Sequence, residues 1–201
     1  IGGKEPGSLA GDSVEIFQEG LRIPPVRLWR GGVLVDDLLS LILLNVRTPR
    51  ERLGDLRAQA AGCRMGVARM EGLFSRYGCE MLADGMDAVL AYSERRMRAE
   101  IEQLPRGTFR FEDALDGDGI VRGEIPICVA IQAQGDRLIV DFTGSARQVA
   151  GPVNAVLAVT ASATYFAIRA ATDPTIPANS GCYRPIEIVA RLVHVKPDGV
   201  H

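Results

Sequence analysis

A helical period of three to four residues runs through positions 48–104 and is broken at Gly78, which limits what this chain can become more than any other feature. Thr48-Pro49-Arg50-Glu51 supplies the start: Thr48 as N-cap, Pro49 at the first helical position and Glu51 to close a capping box. Leu53, Leu56, Ala60, Cys63, Val67, Met70 and Phe74 then draw one apolar stripe to about Tyr77, and Gly78 stops the helix. A second helix over about 80–104 carries Leu82, Met86, Val89, Met97, Ile101 and Leu104 on one face. Two such helices predict a long antiparallel hairpin. The Arg95–Arg98 cluster on the other face reads as a solvated surface with Glu94 and Arg98 as an i,i+4 pair, in preference to an anion site.

The flanking segments change period. Val35 to Leu44 has apolar residues on too many sides for a surface helix and is expected to be buried. After Pro105-Arg106-Gly107, Phe109 and Phe111 alternate with charged neighbours as in a strand, and Asp113 to Asp118 reads as an acidic turn. That run lacks the twelfth-position glutamate and flanking helices of a calcium loop. Ile125, Ile127, Val129 and Ile131, the turn Gln134-Gly135-Asp136, then Leu138, Val140 and Phe142 spell a β-hairpin with one buried face. From Asn154 to about Ala171, small and β-branched residues predict a helix buried on nearly all sides. Ile186 to Val195 is a last strand. The fold class is therefore α+β: a helical hairpin, a mostly antiparallel β-sheet and a buried helix. Residues 1–34 form an N-terminal segment, 35–104 a helical region, and 105–201 a sheet with the buried helix.

Bulk properties exclude several roles. A net charge of -2 over 201 residues gives no electrostatic footprint for nucleic acid or an anionic membrane. No run approaches the roughly 20 apolar residues of a membrane span. Cys63, Cys79, Cys128 and Cys182 are scattered without a CxxC pair, which suits neither a zinc site nor a disulfide framework and fits a reducing cytoplasm. Ile1-Gly2-Gly3-Lys4 has neither an initiating Met nor signal-peptide regions, and the C-terminus has no recognisable terminal element. The chain reads as an internal piece of something longer.

Walker, GxSxG and HExxH motifs are absent, and the two histidines, His194 and His201, both fall in the last eight residues. No histidine-rich metal site or Ser-His-Asp triad can be built in the middle of this chain. His194 alternates with apolar neighbours and reads as structural. The densest chemistry is in residues 7–27. Glu15 and Glu19 lie one helical turn apart, close enough for one carboxylate to have a raised pKa and act as acid or base; alternatively, each pairs with Arg22 or Arg27. Gly7-Ser8-Leu9-Ala10-Gly11 reads as a flexible loop without the spacing or lysine of a phosphate loop. Asp141-Phe142-Thr143-Gly144-Ser145 puts an acid and two hydroxyls at a strand end, while Asn154 either meets an anion or caps the next helix. Cys182 beside Arg184 has no histidine to serve as its base.

Four blocks, GSLAGDSVEIFQEGLRIPPVRL, NVRTPRERLGDLRAQ, DFTGSARQVAGPVNA and IPANSGCYRPI, resemble in order and spacing the hydantoinase B family. That family takes in the B-type subunits of N-methylhydantoinases, the C-terminal half of 5-oxoprolinase and subunits of acetone and acetophenone carboxylases. The resemblance spans essentially all of the chain, yet less than half of a typical family subunit. It implies an ATP-dependent enzyme working with a hydantoinase A-like partner, which uses the ATP and activates a small amide or carbonyl compound. Hydrolysis of hydantoin or 5-oxoproline type rings is the leading expectation. A carboxylase subunit and a non-catalytic docking module for the hydantoinase A-like partner are the alternatives. A divalent metal is implied too, with its ligands upstream of residue 1, so that this chain supplies none and is inactive alone. Carried onto these residues, the resemblance implies Glu15 and Glu19 as catalytic groups and Arg22 as a substrate clamp. Asp141, Thr143, Asn154, Asn179 and Arg184 are implied as further substrate-binding residues.

Overall fold

The computed structural model describes Ser13, residues 15–120 and residues 122–190, with the Glu19 side chain outside the description. The expectations for Ile1-Gly2-Gly3, for the Gly7–Gly11 loop and for His194 and His201 fall outside it. The chain divides at Gly78 into two compact units, the boundary falling between the two long helices.

The first unit begins with the single turn α1 (Ile16–Glu19) and the two-stranded hairpin β1 (Trp29–Arg30) and β2 (Val33–Leu34). Gly31 and Gly32, at φ +55° and +83°, make a connection whose positive angles match the twist of paired strands. Helix α2 (Asp36–Leu44) follows, with two aspartates in its first turn where the helix dipole favours negative charge. Helix α3 (Pro49–Tyr77) starts and stops where its sequence signals lie. The capping box does not form: Thr48 makes no side-chain cap bond, and Glu51 lies instead beside Arg52, which also pairs with Asp55 at 2.9 Å.

Burial is thinner here than hydrophobicity predicts. In α2, Ile42 is buried but Leu44 is 86% exposed, and α3 has no buried residue. The α3 stripe is half-buried at Leu53, Leu56 and Ala60, near the end that α2 contacts, and lies open from Cys63 to Phe74. Periodicity reports what a face tolerates; whether something covers it depends on elements that periodicity does not contain.

The second unit is built on α4 (Cys79–Glu102) and a four-stranded sheet ordered β3-β4-β5-β6. Strands β3 (Gly107–Gly117), β4 (Arg122–Gln134) and β5 (Arg137–Asp141) are antiparallel, and β6 (Ile186–Val189) joins β5 in parallel. The sheet is thus mostly antiparallel, as the alternation predicts. Gly135, at φ +63°, opens the two-residue β4–β5 turn. The expected acidic turn is tighter than its sequence suggests, because β3 continues to Gly117 and only Asp118 enters the turn.

Met97 and Ile101 of α4, Ala133, Leu138, Val140 and Ile186 of the sheet, and Ile176 and Cys182 form the core. Ile168 joins them from α5 (Leu157–Ala171). Only Thr164 and Ile168 of α5 are buried, and Phe166 is 77% exposed, so within this unit the helix is buried on one face and open on the rest. The helix also starts three residues after Asn154, which therefore does not cap it. The short α6 (Ser180–Tyr183) lies against α4 at very close range, since a Cβ added to Gly181 would overlap the Leu90 carbonyl. Replacing Gly181 with Ala is therefore expected to cost about 3 kcal/mol or more, because the obstruction is backbone and cannot turn aside. Ser93→Ala, which removes one hydrogen bond from Asn179, is expected to cost only about 1 kcal/mol. Thermal unfolding of the two variants checks the order.

Candidate functional site

The first unit carries the segment that the sequence marks most strongly. Glu15 stands as the N-cap of α1, exposed and without a cap bond, and Glu19 ends the same turn. The helix is only four residues long because Gly20, at φ 137°, turns the backbone out of it and Pro24-Pro25 follows. The Arg22 guanidinium lies 5.1 Å from the centre of the exposed Phe17 ring, a cation–π contact that holds its charge at the surface.

An open cleft of about 650 Å³ follows at once, lined by Pro25, Val26 and Leu41 among apolar groups and by Arg27, Arg30 and Asp37 among charged ones. Arg30 and Asp37 were not singled out by sequence reasoning. The signal available was Gly31-Gly32: that tight turn sends the chain back on itself, and Val35 N–H donates to the Leu28 carbonyl at 2.9 Å, bringing the start of α2 beside Arg27. With two guanidinium groups against one carboxylate, the cleft suits an anionic or carbonyl-bearing compound.

In the second unit the other expected residues fall into two groups. Asp141 ends β5, and its Oδ1 accepts the Thr143 N–H at 2.7 Å. The Thr143 hydroxyl and this N–H hold the Asp141 carboxyl below its usual range, so it is ionised and acceptor-only at neutral pH. The loop beyond it is pinned at several points. Ser145 Oγ both accepts the Cys128 N–H and donates to the Cys128 carbonyl, each at 3.0 Å. The Asn154 side chain accepts the Val149 N–H and donates to the Val149 and Gly151 carbonyls. Asp118, 3% exposed, accepts the Gly151 N–H at 2.9 Å across 33 residues of sequence. Asn154 thus uses its donor and acceptor alike to shape the loop.

Asn179 and Arg184 lie elsewhere. Asn179 Oδ1 caps α6 by accepting the Gly181 N–H, and its Nδ2 donates to Ser93 on α4. Arg184 donates to Glu94 at 3.0 Å; Glu94 also accepts two bonds from Arg98, which reaches Asp136 in the β4–β5 turn. The parallel register separates the groups: Asp141 lies beside Val189, whereas Arg184 precedes Ile186, which pairs with Leu138. About 10 Å of strand lies between those two levels. Among the described residues, no three His, Cys, Asp or Glu side chains converge to hold a metal ion. No helix of the described residues is long and apolar enough to cross a membrane.

The Glu94 network has a defined acid response. Hydrogen bonds from Arg98 and then Arg184 hold the Glu94 carboxyl below its ordinary range. A depressed carboxylate contributes fully above its unfolded pKa and loses that contribution as pH falls through the lowered folded value. The protection factors of the α6 amides, taken relative to their intrinsic exchange rates at each pH, are therefore expected to fall on acidification below about pH 4. In Glu94→Gln the protection is expected to be reduced already at neutral pH and the acid step diminished. An acid step of unchanged size in that variant places its origin outside this network.

Comparisons with known proteins agree on one lineage. The hydantoinase B/oxoprolinase family pattern matches residues 1–197. The B-type subunit of a putative D-/L-hydantoinase from Pseudomonas sp. strain NS671 is 34% identical over 202 residues, covering 94% of this chain and 34% of that protein. The beta chain of caprolactamase from Pseudomonas jessenii is 31% identical over 188 residues, covering 94% of this chain and 32% of the relative. In the crystal structure of the ATP-dependent caprolactamase from that organism, 95% of this chain superposes on 33% of one chain with a TM-score of 0.87 at 30% identity. Nucleotide-free acetone carboxylase shares the fold, with a TM-score of 0.83 at 22% identity over 92% of this chain and 26% of that one. The chain spans about a third of the length of these relatives. With 197 of its 201 residues inside the pattern, this chain belongs to the hydantoinase B/oxoprolinase family.

Proposed function

We propose that this chain is part of a B-type subunit in an ATP-dependent amidohydrolase that opens cyclic amides of the hydantoin or 5-oxoproline kind. The supporting observation is the 34% identity to a B-type hydantoinase subunit across 94% of the chain, together with the 0.87 TM-score to an ATP-dependent caprolactamase. A ring amide is a poor electrophile. Transfer of the ATP γ-phosphoryl group to the carbonyl oxygen on a hydantoinase A-like partner releases ADP; water then adds to that carbon, phosphate leaves and the ring C–N bond breaks to free the amine, while the B-type subunit manages the proton and the developing charges. In that scheme Glu19 is the general base and Glu15 its neighbouring carboxylate, while Arg22 clamps an anionic group of the substrate. Arg27 and Arg30 extend the same positive surface into the adjoining cleft. Asp141 and Thr143 are further substrate contacts. Asn154 acts by shaping the loop that follows them, and Asn179 and Arg184 by holding α6 against α4. All four cysteines are unpaired, in keeping with a cytoplasmic enzyme.

The test is ADP release by the full-length protein with its A-type partner, offered hydantoin, 5-oxoproline, caprolactam, or acetone with bicarbonate. Ring-dependent ADP release with appearance of the opened product is the expected result. Release with acetone and bicarbonate alone moves the protein to the carboxylases, and release with none of the four reduces the chain to a docking module. Within the working complex, Glu19→Gln is expected to lower kcat by about 10²- to 10⁴-fold while co-purification with the partner is unchanged. Undiminished turnover removes Glu19 from the mechanism.

A further inference from the structure

A second concavity, in the other unit, has no lining residue that the ring-opening reading uses. An open cleft of about 600 Å³ runs along α5, floored by Ala158, Ala161 and Ser162 and walled by Tyr165, Arg169 and Tyr183. Its volume is within the range of small-ligand sites, roughly 300 to 1,000 Å³.

Three observations define what fits it. The Tyr165 and Tyr183 rings stack with centroids 4.1 Å apart and planes 16° from parallel, joining α5 to α6 in a flat aromatic wall. Phe166 stands beside them, 77% exposed. Arg169 is the one charged residue in the lining, so the cleft holds an uncompensated positive charge. Nearby Asp173 is committed to Arg96 and Thr175. The Arg169 guanidinium is fixed in place, its Nη2 donating to the Pro174 and Ile176 carbonyls at 3.1 and 2.9 Å. Its Nε is buried and has no acceptor. Burial pushes the Tyr183 phenol above its usual range, so that hydroxyl stays neutral and adds no charge of its own.

The geometry points to a binding site for a ring compound bearing a carboxylate, with the ring against the aromatic wall and the carboxylate on Arg169. The small-residue floor leaves room for the ring's thickness, and the guanidinium supplies a charge-assisted bond to the carboxylate. None of its lining residues is assigned to ring opening, and because a carboxylated ring also suits the first cleft, the Ala158→Phe variant is what separates the two sites.

The experiment is calorimetric titration of the full-length protein with benzoate, with acetate, which lacks the ring, and with benzamide, which lacks the charge. Benzoate is expected to bind at least about tenfold more tightly than either. Ala158→Phe fills the floor from an exposed position and is expected to abolish benzoate binding with an unchanged melting temperature. Arg169→Lys keeps the charge but loses the planar guanidinium fork anchored on the Pro174 and Ile176 carbonyls, and is expected to weaken benzoate at least about tenfold. Should Arg169→Lys fail to fold, Ala158→Phe decides alone. Acetate binding as tightly as benzoate overturns the proposal, as does benzoate binding that survives Ala158→Phe or an absence of benzoate binding altogether. A polypeptide segment seated in the cleft of the full-length protein overturns it too.

Discussion

The second unit depends on how closely α6 can approach α4. Gly181 has no side chain, so the Leu90 carbonyl sits where a Cβ would be, and the Asn179–Ser93 bond fixes the rotation of the short helix at that contact. Because α6 runs directly into β6, this contact sets where Ile186 enters the sheet and which residues of β5 it meets. Ile176 and Cys182, both fully enclosed, fill the space between α4 and the strands. The same α6 carries Tyr183, which stacks on Tyr165 of α5, and leads into the parallel strand that separates Asp141 from Arg184.

Charge supports this arrangement from outside. The sequence places Glu94 and Arg98 one helical turn apart, and they pair as that spacing predicts. Periodicity does not reveal that the pair also holds the β4–β5 turn through Asp136 and the end of α6 through Arg184. A face that reads as merely solvated is thus a bracket joining three elements. Exposed pairs are individually weak, and this one is useful because its members share partners.

What was legible follows the range of the forces involved. Pro49, Gly78 and Gly135 act on their own backbone, and the elements begin and end where those residues say. The hairpin of β4 and β5 is legible for the same reason. Contacts made at a distance were not: nothing in the run Asp113 to Asp118 says that Asp118 will accept from Gly151, and nothing in the small residues of α5 says that two sides of it stay open. Among the candidate site residues, Asn154 and Asn179 stood out as polar residues in loops. Their amides prove to be occupied with neighbouring backbone and Ser93, because the same chemistry that recognises a ligand also shapes a turn. Arg30 and Asp37 escaped notice because the hairpin that turns the chain back toward Arg27 is only two residues deep on each side.

The stretch from Phe142 to Val156 contains no helix or strand, yet Ser145, Gly151 and Asn154 tie it to β4, to Asp118 and to itself. A protease must draw out many residues of extended chain around the bond it cuts, and although most side chains of this stretch are exposed, its backbone is held by Ala146 N–H on the Pro126 carbonyl and Gly151 N–H on Asp118. This loop therefore belongs mechanically to the sheet, and cleavage there has to wait for the unit to open.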